Sequence, residues 1–196
     1  MRCAQIFPTP QATFDGGVCA RCRREPPSYD RLLAYGSYSG PLQRAVRLLK
    51  YQGVESLGDR LGRLLANTYL SSGAAADWIT AAPLHWNRRR ERGFNQSQLL
   101  ARPVAEAAGL PLVRALARVR PTIPQAGLSR NQRTSNLRGA FRARLGSEVR
   151  GKRIVVVDDV ATTGATFEAC ARVLKRAGAA EVTGLAMARA HAEIRG

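Results

Sequence analysis

Acidic side chains are scarce in this sequence: 14 Asp and Glu stand against 31 Lys and Arg, a formal net charge of +17. The shortage is concentrated. From Ala107 to Ser147 there is neither Asp nor Glu, while Arg114, Arg118, Arg120, Arg130, Arg133, Arg138, Arg142 and Arg144 all fall there. A bias toward arginine explains the choice of cation but not the missing acids. Such a stripe attracts polyanions, whether nucleic acid or a phosphorylated metabolite; the plain alternative is a solvated basic surface. Aromatic residues make up only 6% of the chain, so extended base stacking is not visible as a way of holding single strands. Binding to nucleic acid is then expected to be salt-dependent and indifferent to sequence. There is no run of about 18 apolar residues, and so no membrane span. The opening MRCAQIFPTPQATF lacks the basic-then-apolar layout of a secretion signal. These absences predict a cytoplasmic protein.

What is present fits one α/β domain with a small appendage: 196 residues, 45% of them apolar. Three of the four cysteines lie before residue 28, and Glu25-Pro26-Pro27-Ser28 reads as a linker. Residues 1–28 are therefore separated from a domain at 29–196. In that domain Leu32–Tyr38 is a predicted strand. Leu42, Ala45, Val46 and Leu49 share one helical face, and Leu57, Leu61, Leu64, Leu65 and Thr68 share another. Trp78–Leu84 is a predicted strand and Phe94–Ala108 a helix, kinked or shortened at Pro103 and ended by Gly109. Leu112–Val119 is ambiguous, with context favouring a strand. The β-branched run Ile154–Val157 suits a parallel strand buried on both faces. Phe167, Cys170, Ala171 and Leu174 mark a helix closed by Gly178, with Cys170 on its packed face, and Val182–Ala188 is the last strand. The alternation argues a parallel sheet flanked by helices.

The segment VVVDDVATTGAT, residues 155–166, is the most informative. A buried strand leads into Asp158-Asp159, then a turn, then a helix. Ligands of open parallel sheets bind at the carboxyl ends of the strands. The helix start offers unpaired N–H groups and a positive dipole end that suit a phosphate. Gly164 permits close backbone approach, and Thr162, Thr163 and Thr166 add hydroxyls. Adjacent carboxylates beside a phosphate make sense if the ligand also carries hydroxyls or a Mg²⁺. A phosphate and a diol together describe a ribose 5-phosphate. The segment resembles the phosphoribosyl pyrophosphate (PRPP) signature of type I phosphoribosyltransferases. That resemblance implies the ribose hydroxyls, with Mg²⁺, at Asp158 and Asp159, and the 5′-phosphate at Ala161, Thr162, Thr163, Gly164, Ala165 and Thr166.

A second segment narrows the likeness. PLHWNRRRERGFNQSQLLA, residues 83–101, resembles the RGFNQ-type segment of the ComF family of competence proteins, as does Leu49-Lys50-Tyr51-Gln52-Gly53. Gln125, Leu128, Arg130 or Arg133, Asn136 and Ala140-Phe141 are similar to a further pattern of that family. The likeness runs from about Cys19 to the C-terminus. Arg88 to Arg92 follow a strand end and are placed to meet a pyrophosphate through charge-assisted bonds. Lys50, His85, Arg88 and Arg92 are the candidate pyrophosphate residues. The polar stretch Pro121–Arg138, with Gln125, Arg130, Arg133 and Asn136, is expected to be a mobile loop that closes over the pyrophosphate and excludes water.

Cys19 and Cys22 form a CxxC, with Cys3 fifteen residues before it. A zinc ribbon of two CxxC pairs at this spacing needs a further cysteine just before Met1, and the ComF resemblance implies such a four-cysteine ribbon. Either the true start lies upstream of Met1 or the site is degenerate. In the degenerate case Cys3, Cys19 and Cys22 hold Zn²⁺ with water, Asp15 or the terminal amine. His85 and His191 are not spaced as metal ligands.

The resemblance implies a protein that binds PRPP with Mg²⁺ and handles incoming single-stranded DNA during natural transformation, with an ATP-dependent DNA translocase as partner. The alternative is an active phosphoribosyltransferase of nucleotide metabolism or salvage, displacing pyrophosphate in favour of an acceptor the sequence does not reveal. No general base and no nucleobase pocket are evident. A PRPP-sensing regulator has no DNA-binding helix pattern to support it.

Overall fold

The computed structural model describes residues 3–4, 18–51, 56–84, 90, 93–121 and 130–190. In chain order the elements are α1 (Ala20–Arg24), β1 (Arg31–Ser37), α2 (Gly40–Tyr51), α3 (Ser56–Ser71), β2 (Trp78–Ala81), α4 (Gln96–Ala108), β3 (Leu116–Arg118), α5 (Arg130–Leu137), β4 (Phe141–Ala143), β5 (Arg153–Ala161), α6 (Ala165–Arg176) and β6 (Glu181–Arg189). Four strands form a wholly parallel sheet in the order β1-β6-β5-β2. A parallel bridge from Leu112 to Ile79 extends its edge. The predicted α/β class and parallel sheet are what the chain adopts.

A parallel sheet must be covered on both faces, and β5 displays the two coverings residue by residue. Ile154 and Val156 join a core with Leu32, Phe167, Cys170 and Leu174, covered by α6. Val155 and Val157 join the opposite core with Val46, Leu49, Leu65, Leu100 and Val104, drawn from α2, α3 and α4. Each such fully buried side chain contributes roughly 1.5–3 kcal/mol. Cys170 is fully buried, and burial pushes its thiol up, which agrees with its expected role as packing. Among the described residues no helix is long and apolar enough to cross a membrane.

Several expectations need correction. Leu64 is largely exposed, and the buried stripe of α3 is Gly58, Leu61, Gly62, Leu65, Ala66 and Tyr69. The glycines let α4 approach closely: a Cβ on Gly58 would lie 2.8 Å from Leu99 Cβ, and one on Gly62 would lie 2.7 Å from Pro103 Cγ. Pro103 therefore fills a groove in α3, and α4 continues through it to Ala108. Leu112–Val119 is not one strand. It contributes the bridge at Leu112 and then β3, which pairs antiparallel with β4 outside the main sheet. The strand expected over 78–84 ends at Ala81, and β5 runs past both acids to Ala161. The predicted loop 121–138 is helical over Arg130–Leu137; residues 122–129, with Gln125, lie outside the described residues.

Candidate functional site

The carboxyl end of β5 carries the two acids, and neighbouring elements supply their partners. Ser97, in the first turn of α4, donates its Oγ to Asp158 Oδ1 at 2.8 Å, and the Asp159 backbone N–H donates to the same oxygen at 2.9 Å. Lys50, at the end of α2, places Nζ 3.0 Å from Asp159 Oδ1. Burial and the adjacent Asp159 charge push the Asp158 carboxyl up to about 6, against the Ser97 bond and the Lys50 charge. Burial alone would lower the Lys50 ammonium. The charge and hydrogen bond of Asp159, helped by Asp158, outweigh it and raise the group. One ammonium thus faces two carboxylates in a largely buried pocket. The surplus negative charge suits a cation or a pair of hydroxyl donors, so the residues fit a Mg²⁺-bearing diol ligand.

Ser97 is held in place from its own chain neighbour. Asn95 caps α4 by accepting from Ser97 N at 3.1 Å and donates Nδ2 to Ala82 O, just beyond β2, at 3.1 Å. The start of α4 is thereby fastened to the strand next to β5.

Beyond the acids the chain turns through residues 161–164 into α6. Gly164 stands before the helix at φ 80° with no side-chain cap, a left-handed conformation that disfavours any residue with a Cβ. Such a Cβ would also lie 3.2 Å from the Tyr29 hydroxyl. Thr162, Thr163 and Thr166 are half-buried around the turn, and Thr163 Oγ1 accepts from Ala165 N at 3.3 Å. Arg189, buried at the end of β6, donates Nη1 to Ala161 O at 3.1 Å and to Thr162 O. A buried guanidinium thus ties down the carbonyls of the turn.

The structure brings Asp158, Asp159, Lys50 and residues 161–166 to one end of the sheet. His85, Arg88, Arg92 and Gln125 lie outside the described residues, as do His191 and Asp15. Arg130 and Arg133 belong to the backbone of α5, and Asn136, half-buried there, accepts from Arg120 Nη2 through its carbonyl at 3.0 Å. Sequence reading missed Ser97, Asn95 and Arg189. Asn before a helix is a readable capping signal. That Ser97 reaches Asp158, or Arg189 the turn, depends on tertiary pairing.

The cysteines form a second cluster. The Sγ atoms of Cys3, Cys19 and Cys22 lie within 4.8 Å of one another, with Cys3 and Cys19 at 3.5 Å. Zinc–thiolate bonds of about 2.3 Å in a tetrahedron separate the sulfurs by roughly 3.8 Å, so the three residues fit a zinc ion. Cys22 N donates to Cys19 Sγ at 3.5 Å. Burial, followed by the Cys19 and Cys3 thiols, pushes Cys22 up to about 12. This lobe is joined to α6: Ser28 donates both N and Oγ to Glu168 at 2.7 Å, and Arg172 Nη2 reaches the same carboxylate at 2.8 Å. Burial works to raise Glu168, and these bonds outweigh it and hold the carboxyl below its usual value.

Residues 95–194, which include β5, β6 and the acid-and-threonine turn, match the phosphoribosyl transferase domain family. The chain is 40% identical over 171 residues to the DNA utilization protein YhgH of Salmonella typhimurium, covering 84% of this chain and 74% of that protein. It is 32% identical over 182 residues to Competence protein F of Haemophilus influenzae, covering 88% and 78%. Among solved structures, the glutamine PRPP amidotransferase from B. subtilis aligns with 67% of this chain and 26% of its own at 30% identity and a TM-score of 0.47. This chain belongs to the ComF family of phosphoribosyltransferase-domain proteins.

Proposed function

We propose that this protein binds PRPP with Mg²⁺ at the carboxyl end of β5 and acts on incoming single-stranded DNA in natural transformation. The supporting observation is the pairing, on one strand and its following turn, of two acids facing a single lysine with a glycine-opened helix start. In this reading Asp158 and Asp159 take the ribose 2′- and 3′-hydroxyls. Ser97 fixes the Asp158 carboxylate, and Lys50 offsets the Asp159 charge. The N–H groups of residues 161–166 and the threonine hydroxyls wrap the 5′-phosphate, each helix-end contribution being roughly 0.3–2 kcal/mol. Arg189 keeps the turn's carbonyls away from that phosphate. Mg²⁺ supplies charge neutralisation for the pyrophosphate. His85, Arg88 and Arg92 remain the candidates for the pyrophosphate itself. Residues 1–28, holding Zn²⁺ through Cys3, Cys19 and Cys22, act as a lobe on the domain at 29–196.

The DNA role rests on the names of the two relatives and on the acid-free arginine stretch of 107–147. A DNA translocase driven by ATP is the expected partner, in the cytoplasm. Calorimetric titration of Mg²⁺–PRPP into the wild type and an Asp158→Asn, Asp159→Asn double variant tests the ligand. Micromolar binding abolished in the variant is expected; no binding by the wild type overturns the reading. Affinity for a single-stranded oligonucleotide is expected to fall steeply between low and physiological salt, and a flat response removes the polyanion argument.

A further inference from the structure

Beside the acid pair, beyond the outer edge of β2, lies a cavity of about 440 Å³, within the range of small-molecule sites. Its floor is the end of β2, and its walls are the start of α4, residues 112–114 and β3. Thr80, Gln98, Arg114, Leu116, Arg118 and Arg144 line it, and among the described residues no acidic one does. The arginines all come from the acid-free stretch. Among the described residues no ion pair engages Arg114 or Arg144, both exposed at the rim, and the Arg118 guanidinium sits 5.5 Å from the Phe141 ring centre.

The lining combines the guanidinium groups of Arg114, Arg118 and Arg144 for an anion, the apolar Leu112, Val113 and Leu116 for a flat body, and the Gln98 amide for a polar edge. A phosphate joined to a base has that set of features, and the volume exceeds what an isolated phosphate would fill.

We propose that this cavity binds a nucleoside monophosphate, free or as one unit of a DNA strand, with the phosphate on Arg114, Arg118 and Arg144 and the base against Leu112, Leu116 and Gln98. The site is separate from the carboxylates that take the ribose of PRPP in the reading above. The two share a boundary: Thr80 is on the strand next to β5, and Gln98 follows Ser97, which holds Asp158.

Calorimetric titration of the full chain with deoxythymidine 5′-monophosphate, thymidine, inorganic phosphate and the trinucleotide of deoxythymidine tests this. The monophosphate or the trinucleotide is expected to saturate one site, with thymidine and phosphate at least about tenfold weaker. An Arg114→Ala, Arg144→Ala variant loses about tenfold or more in affinity. Mg²⁺–PRPP titrates this variant as it does the wild type, and Asp158→Asn leaves nucleotide binding intact. Binding of the free monophosphate identifies a metabolite site, and binding of the trinucleotide alone identifies a strand site. Failure of both ligands to bind, insensitivity to the arginine variant, or competition by PRPP together with loss in Asp158→Asn overturns the proposal. A failure of PRPP to bind leaves it standing.

Discussion

The two ends of strand β5 meet carboxylates in opposite electrostatic situations: Asp77, just before β2, at one end and the strand's own Asp158 at the other. At the amino end, Asp77 accepts Arg153 N at 2.8 Å and Arg153 Nη2 at 2.8 Å, in a partly exposed pair. Those bonds pull its carboxyl down to about 2. At the carboxyl end, Asp158 is pushed up to about 6 by burial and by its neighbour Asp159. Two carboxylates there share one lysine, whereas Asp77 has an arginine to itself. The first arrangement is complete without a ligand and fastens the strand's entry. The second lacks positive charge and is stabilised when a ligand brings some. At the two ends of one strand, direction of pKa shift separates what holds the fold from what awaits a substrate.

That contrast can be broken at either end. The largest effect is expected from Asp158→Asn. Mg²⁺–PRPP affinity should fall by about a hundredfold, which calorimetry reads, yet the free protein should gain stability at pH 8. The folded state binds the Asp158 proton more tightly than the unfolded state does. Wild-type stability therefore falls as pH rises from about 4 to about 6 and stays lowered above. Removing the charge restores on the order of 1–3 kcal/mol at pH 8 and nothing near pH 4, measured by chemical denaturation. The same titration predicts that PRPP affinity of the wild type weakens below about pH 6. Next is Arg189→Met, which removes the guanidinium bonds to the carbonyls of Ala161 and Thr162, the former keeping Ala190 N, at a cost of roughly 1–3 kcal/mol. It should also weaken PRPP by about tenfold through loss of the turn's shape. Lys50→Met removes the counter-charge of Asp159 and should move the pH midpoint of PRPP binding upward, since Asp158 then protonates more readily. The smallest change is expected for Asp77→Asn, whose pair is open to solvent and screened. The melting temperature should drop by about a degree or two, with PRPP affinity unchanged.

The sequence announced what depends on local order. The β-branched run, the helical stripe of α6 and the glycine before it place the acids and the turn at a strand end, because each follows from neighbours in the chain. Periodicity failed at α3, where the buried face is made partly of glycines that carry no hydrophobic signal. It also failed at Pro103, whose ring is accommodated by a groove on another helix. The β3–β4 pair joins segments more than twenty residues apart, and no local pattern records that. Ser97 and Arg189 were invisible for the same reason. Each acts on a site far away in the chain, and a serine or an arginine alone does not say which.

The contact between α3 and α4 has a consequence for evolution. With a Cβ on Gly62 only 2.7 Å from Pro103 Cγ and 3.0 Å from the Leu100 carbonyl oxygen, the two helices meet with no clearance there, so position 62 cannot gain a side chain unless α4 shifts. Pro103 and Ser97 sit on the same helix, six residues or about 9 Å apart along its axis. A bulkier residue at position 62 would push α4 outward and carry Ser97 away from Asp158. The proton affinity of the acid is therefore inherited in part from a glycine on a helix that never touches it, and drift at that seam would retune the site without altering any residue within it.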